Sequence, residues 1–440
     1  MLAGCILLQA GATGILANCQ SVFYSSISGE LGISNGAMSL FSTMRTCAIA
    51  LAAFALPVLY RKVKLRALLT ALSLLACGFF MAESLFSDIL HWYLIAIPFG
   101  LVCGGLVTAP ATLVINNWFR KKAGLVLGFA LAASGVTGAM IAPLCSSLIL
   151  SLGWRTAIAL VGLLALLLQL PATALILRLT PQEVGCDPYG AEEGDEAAGK
   201  ADGAAQAQIS PLASRASVLI FCALLVILPY SVIQTSYHYT LFAEQEGLGL
   251  AVAANFTSLC MVGNTAGKLL LGVINDRRGA WFTTITAEIV IVVSMILFGS
   301  GTSNVLILYA AALLMGLSYS LGAMQPALLA RQIYASQYTK RYSLLLAVGT
   351  LSGALIDLSI GLASDLLGSY RLIFHLLAVL NAAAILIAAL LGARERKCRD
   401  IPSLAQRQGG RPGGALRART GQARIVPDRP SGTIFCARAA

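Results

Sequence analysis

Residues 154–178 read WRTAIALVGLLALLLQLPATALILR. Between Arg155 and Arg178 stand 22 residues without one charge. As a helix rising 1.5 Å per residue they reach about 33 Å, enough to cross a bilayer core of about 30 Å. Eleven more runs of this kind follow from the same reading: 2–24, 37–60, 67–86, 91–115, 123–149, 216–240, 251–274, 281–300, 304–330, 343–366 and 371–392. The chain therefore reads as an all-α membrane protein with twelve transmembrane helices. All four tryptophans (Trp92, Trp118, Trp154, Trp281) fall near run ends, where an amphipathic ring suits the membrane interface.

The composition agrees. Of 440 residues, 58% are apolar and only 11% charged, with a mean hydropathy of +0.81. A soluble domain is nearer half apolar and a quarter charged. Too little polar material remains to cover a soluble surface, which excludes a soluble enzyme, a disordered chain and an ordinary nucleic-acid binder. The net charge of +11 sits mostly in residues 393–440, which carry +8 of it. Eleven cysteines show no CxxC spacing and lie mostly in apolar runs, as Cys47, Cys77, Cys103 and Cys260 do. They read as small apolar fillers, so neither a disulfide frame nor a metal site is expected.

Lysine and arginine set the topology. The connections 61–66, 116–122, 178–215, 275–280 and 331–342 hold 15 of them. The opposite connections hold only Arg155 and Arg371. That asymmetry places the basic loops and both termini in the cytoplasm. A bacterial inner (plasma) membrane is the simplest setting. Residues 179–215 are polar, acidic and without helical apolar spacing, and read as a cytoplasmic linker. The expected organisation is a six-helix half at 1–178, the linker at 179–215, a second half at 216–392 and a basic, disordered tail at 393–440.

The two halves repeat. A shift of 216 sets Glu30 on Glu246, Arg61-Lys62 on Arg277-Arg278 and Gly100 on Gly316. It also sets Pro110-Ala111 on Pro326-Ala327, Trp154 on Tyr370 and Arg155 on Arg371. One offset thus links a loop, a helix interior and a helix start. Parallel halves of this kind hold their substrate site at the repeat interface, near the bilayer midplane.

The segment Gly272-Val-Ile-Asn-Asp276-Arg277-Arg278-Gly279 resembles the G-x-x-x-D-R-x-G loop signature of the major facilitator superfamily. The matching first-half loop, Tyr60-Arg61-Lys62, keeps the bases but lacks the Asp and the closing Gly. Within that superfamily, Trp118-Phe119-Arg120-Lys121-Lys122-Ala-Gly124-Leu125-Val-Leu-Gly128 resembles the helix-five start of monocarboxylate transporters and oxalate–formate antiporters. Gly153-Trp154-Arg155, Pro181-x-Glu183-x-Gly185-x-x-Pro188-Tyr189-Gly190 and Gly368-Ser-Tyr370-Arg371 are similar to the same group. The resemblance runs from about residue 18 to 392. It implies two six-helix pseudo-symmetric halves and a transporter.

Ionisable groups inside spans are costly and are functional candidates by default. Lys268 lies eight residues before Asp276, roughly 12 Å along the axis. In the resembling families an arginine at this place binds the substrate carboxylate. Lysine brings a compact charge without the bidentate fork, and the bland alternative is a chain that snorkels to the surface. Arg45 lies roughly 13 Å into the second span, and Asp357 at a similar depth in the eleventh. In the superfamily fold those helices face each other, so an Arg45–Asp357 ion pair would bridge the halves as a gate, or Asp357 would carry a coupled proton. The alternative is two separate charges facing water. The resemblance also gives Asp276, with Arg277 and Arg278, a gating role beside a helix N-terminus; otherwise Asp276 is a solvated turn residue.

Further polar candidates for the cavity are Asn18, Tyr24, Gln234, Tyr237, His238, Asn264, Tyr319 and Gln325. Asn264 precedes Lys268 by four and shares its face. Each alone is more often an interhelical hydrogen-bonding group than a ligand. His238 is near the outer end, and its alternative reading is interfacial; His91 and His375 read as interfacial or packing residues. The glycine pairs Gly100/Gly104, Gly124/Gly128, Gly263/Gly267 and Gly349/Gly353 keep a small-xxx-small spacing for close helix approach.

The expected function is secondary active transport of a small organic anion, foremost a monocarboxylate, by alternating access. It would be proton-coupled or run by exchange against a counter-anion, in a monomer surrounded by lipid. The alternative is an exporter of drugs or amphipathic solutes on the same fold. No G-x-x-x-x-G-K-[ST] loop is present in the sequence, and no cofactor, metal, nucleic-acid partner or enzymatic activity is expected. A sensor would need an output domain larger than a linker and a tail.

Overall fold

The computed structural model describes residues 1–107, 109–119, 123–190, 216–334 and 337–408. Among the described residues the helices make twelve passes. They are α1 Leu2–Leu31, α2 Asn35–Lys62, α3 Leu65–Leu85, α4 in two pieces (Ile89–Gly104 and Ala109–Trp118), α5 Ala123–Leu152 and α6 Trp154–Ile176. The second half repeats them as α7 Ser217–Gln245, α8 Gly249–Arg278, α9 Ala280–Gly299, α10 Val305–Ile333, α11 Tyr338–Leu367 and α12 Tyr370–Gln408. Most of the linker (191–215) and residues 409–440 of the expected tail lie outside the described residues.

The helices are arranged inside out relative to a soluble protein. Leucines project outward, as Leu94, Leu167 and Leu366 do, while Arg45, Glu83, Glu288 and Asp357 are at most 3% exposed. Burial of charge inside a lipid-facing shell is how a membrane bundle holds ionisable groups. Caps close several ends. Ser34 accepts from Ala37 N at the start of α2, Asp88 from Leu90 N at α4, and Asn304 from Leu306 N at α10. At the α5–α6 turn Gly153 has φ +78, a conformation that favours glycine. The bundle thus has a basic end, with connections near 61–66, 116–119, 178–190 and 275–280, and a short-loop end, with turns near 32–34, 86–88, 153 and 246–248.

Three elements depart from the sequence reading. The single run 91–115 is broken after Gly104, where a short turn precedes the second piece of α4. Pro110 in the first turn of that piece lacks the N–H that would continue the ladder backward. The Asp276-Arg277-Arg278 signature is not a loop. It forms the last turn of α8, ended by Gly279 at φ +81. The last helix runs past 392 to Gln408. Ala393, Arg394 and Glu395 continue it as good helix formers, and Glu395 accepts from Trp281 Nε1 and Gln332 Nε2.

Pseudo-symmetry is visible in contacts. Arg155 pairs with Glu30 at 3.1 Å, and Arg371 pairs with Glu246, the same contact 216 residues on. Gly100 of α4 lies against the Arg45 carbonyl of α2, and Gly316 of α10 against the Cys260 carbonyl of α8. Both α1 and α7 change to a tight 3-10 turn at matching places, Gln20–Phe23 and Ser236–His238. The glycine pairs mostly pack as expected: Gly263 and Gly267 on α10, Gly349 and Gly353 on α7. Gly128 differs, with nothing within 4 Å of where a Cβ would stand.

Candidate substrate and gating site

The halves meet along three helix pairs: α2 with α11, α5 with α8, and α1 with α7. Hydrogen bonds stitch the seam from the short-loop end inward. Asp365 of α11 accepts from the first amides of α2, Asn35 N at 3.1 Å and Gly36 N at 2.7 Å. A carboxylate at the positive end of a helix is a favourable contact. Deeper, Thr43 donates to the Ala354 carbonyl (2.9 Å) and Thr240 to the Ser21 carbonyl (2.8 Å). Between α5 and α8, Ser258 donates to the Ala139 carbonyl at 2.6 Å. Further toward the basic end, Lys268 Nζ donates to the Leu131 carbonyl at 3.5 Å. These bonds tie the halves together at the short-loop end.

Lys268 is half-buried on α8, and Leu131 lies across the seam on α5. The ion pairs among the described residues are Arg155–Glu30, His238–Asp357 and Arg371–Glu246. Lys268 thus has one long carbonyl contact and no described carboxylate in pairing range. One turn before it, the Asn264 Oδ1 is buried and accepts no described hydrogen bond. On α1, Asn18 faces the same seam and donates to the Ser134 carbonyl at 3.3 Å.

A second polar layer lies toward the short-loop end. Arg45 is 3% exposed. Its NH1 reaches the Leu16 carbonyl at 3.4 Å, its Nε has no described acceptor, and its guanidinium sits 5.5 Å from the Phe99 ring centre. Tyr24 and Tyr237 each lie within electrostatic reach of both Arg45 and Asp357, and Tyr237 neighbours Tyr319. The expected Arg45–Asp357 pair is not formed here. His238 takes Asp357 instead, at 2.9 Å. The 3-10 turn at Ser236–His238 carries that histidine into the bundle, where it is 2% exposed, so it is not interfacial.

The remaining candidates are separate from these layers or differently used. Gln234 is buried against Gly353 of α11, its Oε1 without a described donor. Gln325 is fully buried and exchanges hydrogen bonds with Thr284, joining α9 to α10. Asp276, Arg277 and Arg278 are exposed at the basic end, with Arg278 over the Phe282 ring at 5.3 Å. At the other end, Asp365 makes a contact of the kind expected of Asp276, a carboxylate on the N-terminus of a neighbouring helix.

Sequence reasoning passed over Asp365, Glu83 and Glu288. Glu83, 1% exposed, accepts from Gln20 Nε2 at 2.9 Å. Glu288 is fully buried on α9, and neither oxygen has a described donor. A charge inside an apolar run is the signal that marks both. Trp92 and Trp154 are likewise core residues, their rings 6.4 Å apart, and Trp154 donates to Glu30 at 2.6 Å.

Comparison with known families agrees with this architecture. The Major Facilitator Superfamily profile matches residues 6–356. The chain belongs to the major facilitator superfamily. That superfamily is made up of transporters, and this member is an integral membrane protein. A stretch of 103 residues is 36% identical to monocarboxylate transporter 11 of Homo sapiens. It covers 23% of this chain and 21% of that human protein, so the match spans about a fifth of the relative's length.

Proposed function

We propose that this superfamily member is a secondary active transporter of a small organic anion, with a monocarboxylate as the first candidate. One observation carries the reading: the Lys268 ammonium stands half-buried at the seam between the halves, held by a single carbonyl 3.5 Å away. A cation kept from bulk water without a partner is costly. An arriving carboxylate supplies that partner through a charge-assisted hydrogen bond. Asn264, one turn away with its amide oxygen unused, adds a polar group beside it. The local likeness to a human monocarboxylate transporter supports the same substrate class. With the basic end in the cytoplasm, the seal at Asp365, Thr43 and Thr240 is on the outer side, and Lys268 is approached from within. Alternating access then consists of breaking this seal and closing the seam beyond Lys268.

The test is uptake of labelled lactate, pyruvate, formate and oxalate into proteoliposomes, for wild type and Lys268→Ala. Saturable uptake of at least one acid is expected. The substitution lowers it at least about 30-fold at low substrate, the equivalent of about 2 kcal/mol. Folded protein that moves none of these acids, or an alanine variant that moves them equally well, would contradict the proposal.

A further inference from the structure

A cavity of about 500 Å³ lies between the halves at the short-loop end, and Lys268 is not part of it. Ser25, Ser26 and Glu30 of α1 form one wall, and Thr240 and Glu244 of α7 the other. Leu250, at the start of α8, adds an apolar side chain. The cavity extends outward from the tie between Thr240 and the Ser21 carbonyl. Its two carboxylates differ. Glu30 is held by Arg155 at 3.1 Å and by Trp154 Nε1 at 2.6 Å, so its charge is offset. Glu244 has no described hydrogen bond or ion pair. Its Oε1 stands 3.9 Å from where a Cβ on Gly29 of α1 would be. The carboxylate of one half thus faces the helix of the other. Ser25 gives an independent sign of a missing partner. It is 8% exposed and lines the cavity, yet its hydroxyl makes no described hydrogen bond. Buried polar groups are ordinarily satisfied, and a ligand in the cavity would satisfy this one.

Charge and size decide what fits. Among the described residues the polar side chains of the walls offer only carboxylate and hydroxyl oxygens, which suit a hard cation or an ammonium over a transition metal. The helix ends agree. Beside the cavity α1 ends at Leu31 and α7 at Gln245, two partly negative C-termini, against the one positive start of α8 at Gly249. With Glu30 offset by Arg155, the walls carry one uncompensated negative charge, at Glu244. The volume is that of a small-molecule site and far exceeds what a bare ion fills.

We propose that this cavity binds a primary organic ammonium ion, either a soluble amine or the headgroup of an amine-bearing lipid. Its N–H groups donate to the Glu244 carboxylate and to Ser25 Oγ, and its carbon body lies against Leu250. One ammonium matches the one free charge, and the bond to Glu244 is charge-assisted. The inference rests on the two-half fold and not on the anion reading at Lys268.

The experiment needs no transported substrate. The full chain in phosphatidylcholine nanodiscs is titrated with butylammonium by calorimetry at constant ionic strength, with empty nanodiscs as the blank. Tetramethylammonium, which carries the charge without N–H donors, and calcium are titrated in parallel. Saturable binding of one butylammonium is expected, at least about tenfold tighter than tetramethylammonium. Glu244→Gln keeps the shape, removes the charge and weakens binding at least about tenfold. Ser25→Ala weakens it about threefold, the loss of one neutral hydrogen bond. Repeating the titration in nanodiscs rich in phosphatidylethanolamine separates the sources: weaker apparent binding assigns the site to the lipid headgroup, and unchanged binding to a soluble amine. Folded wild type that binds no butylammonium, or binds tetramethylammonium or calcium equally well, overturns the proposal. So does a Glu244→Gln variant with the wild-type affinity. Should that variant not fold, Ser25→Ala with unchanged affinity overturns it equally.

Discussion

A few ionisable side chains sit where the membrane bundle should have none, and each is handled differently. Asp357 is bonded by His238, Glu83 by Gln20, and Lys268 by a lone carbonyl. Glu288 has no described donor at either oxygen, which makes it a group whose ionisation the fold does not support. Glu288→Gln keeps the shape and removes the ionisable proton. Its melting temperature should match or exceed wild type by a few degrees, read by scanning fluorimetry in detergent. A fall of several degrees would show that the carboxylate is used. The sequence made Arg45, Lys268 and Asp357 conspicuous, because a charge amid apolar letters needs no structure to be noticed. It left His238 at a run end, because no periodicity announces the 3-10 turn that carries it inward. Asp365 was equally hidden, because its role depends on which helix N-terminus a distant part of the chain brings to it.

Helices here are chosen by apolar length and positioned by glycine. The apolar runs located all twelve passes, since a spanning segment in lipid must satisfy its backbone within itself. Breaks and extensions were less legible: the α4 interruption depends on Pro110, and the α12 extension carries no apolar period to announce it. Close approach was legible only as spacing. Gly316 shows what that spacing does, because a Cβ there runs into the Cys260 carbonyl of α8, which is backbone and cannot swing aside. Gly316→Ala should therefore destabilise by about 1–3 kcal/mol, seen as a lower melting temperature. Gly128→Ala, with open space around it, should leave the melting temperature unchanged and serves as the control. Equal melting of the two variants would contradict the packing argument.

For the whole molecule, the repeat at offset 216 matters more than any single motif. It places Glu30–Arg155 and Glu246–Arg371 as matching braces within each half, so that each half is tied internally at the short-loop end. The contacts between halves are different in kind: helix-terminal amides, hydroxyls on carbonyls, and a lysine on a carbonyl. Such contacts are individually modest, which suits a seam that has to open. The function assigned to that seam depends on the charge at Lys268.

A direct test supplies that charge chemically. In a background without reactive cysteines, Lys268→Cys is reconstituted and labelled uptake is measured before and after reaction with an aminoethyl methanethiosulfonate, which forms a mixed disulfide with the thiol, releases methanesulfinate and restores an ammonium on a similar stem. A neutral ethyl adduct is measured in parallel. The account predicts loss of uptake in the cysteine variant, recovery with the charged adduct and none with the neutral one. Uptake that survives in the unmodified variant, or that recovers equally with both adducts, would contradict it.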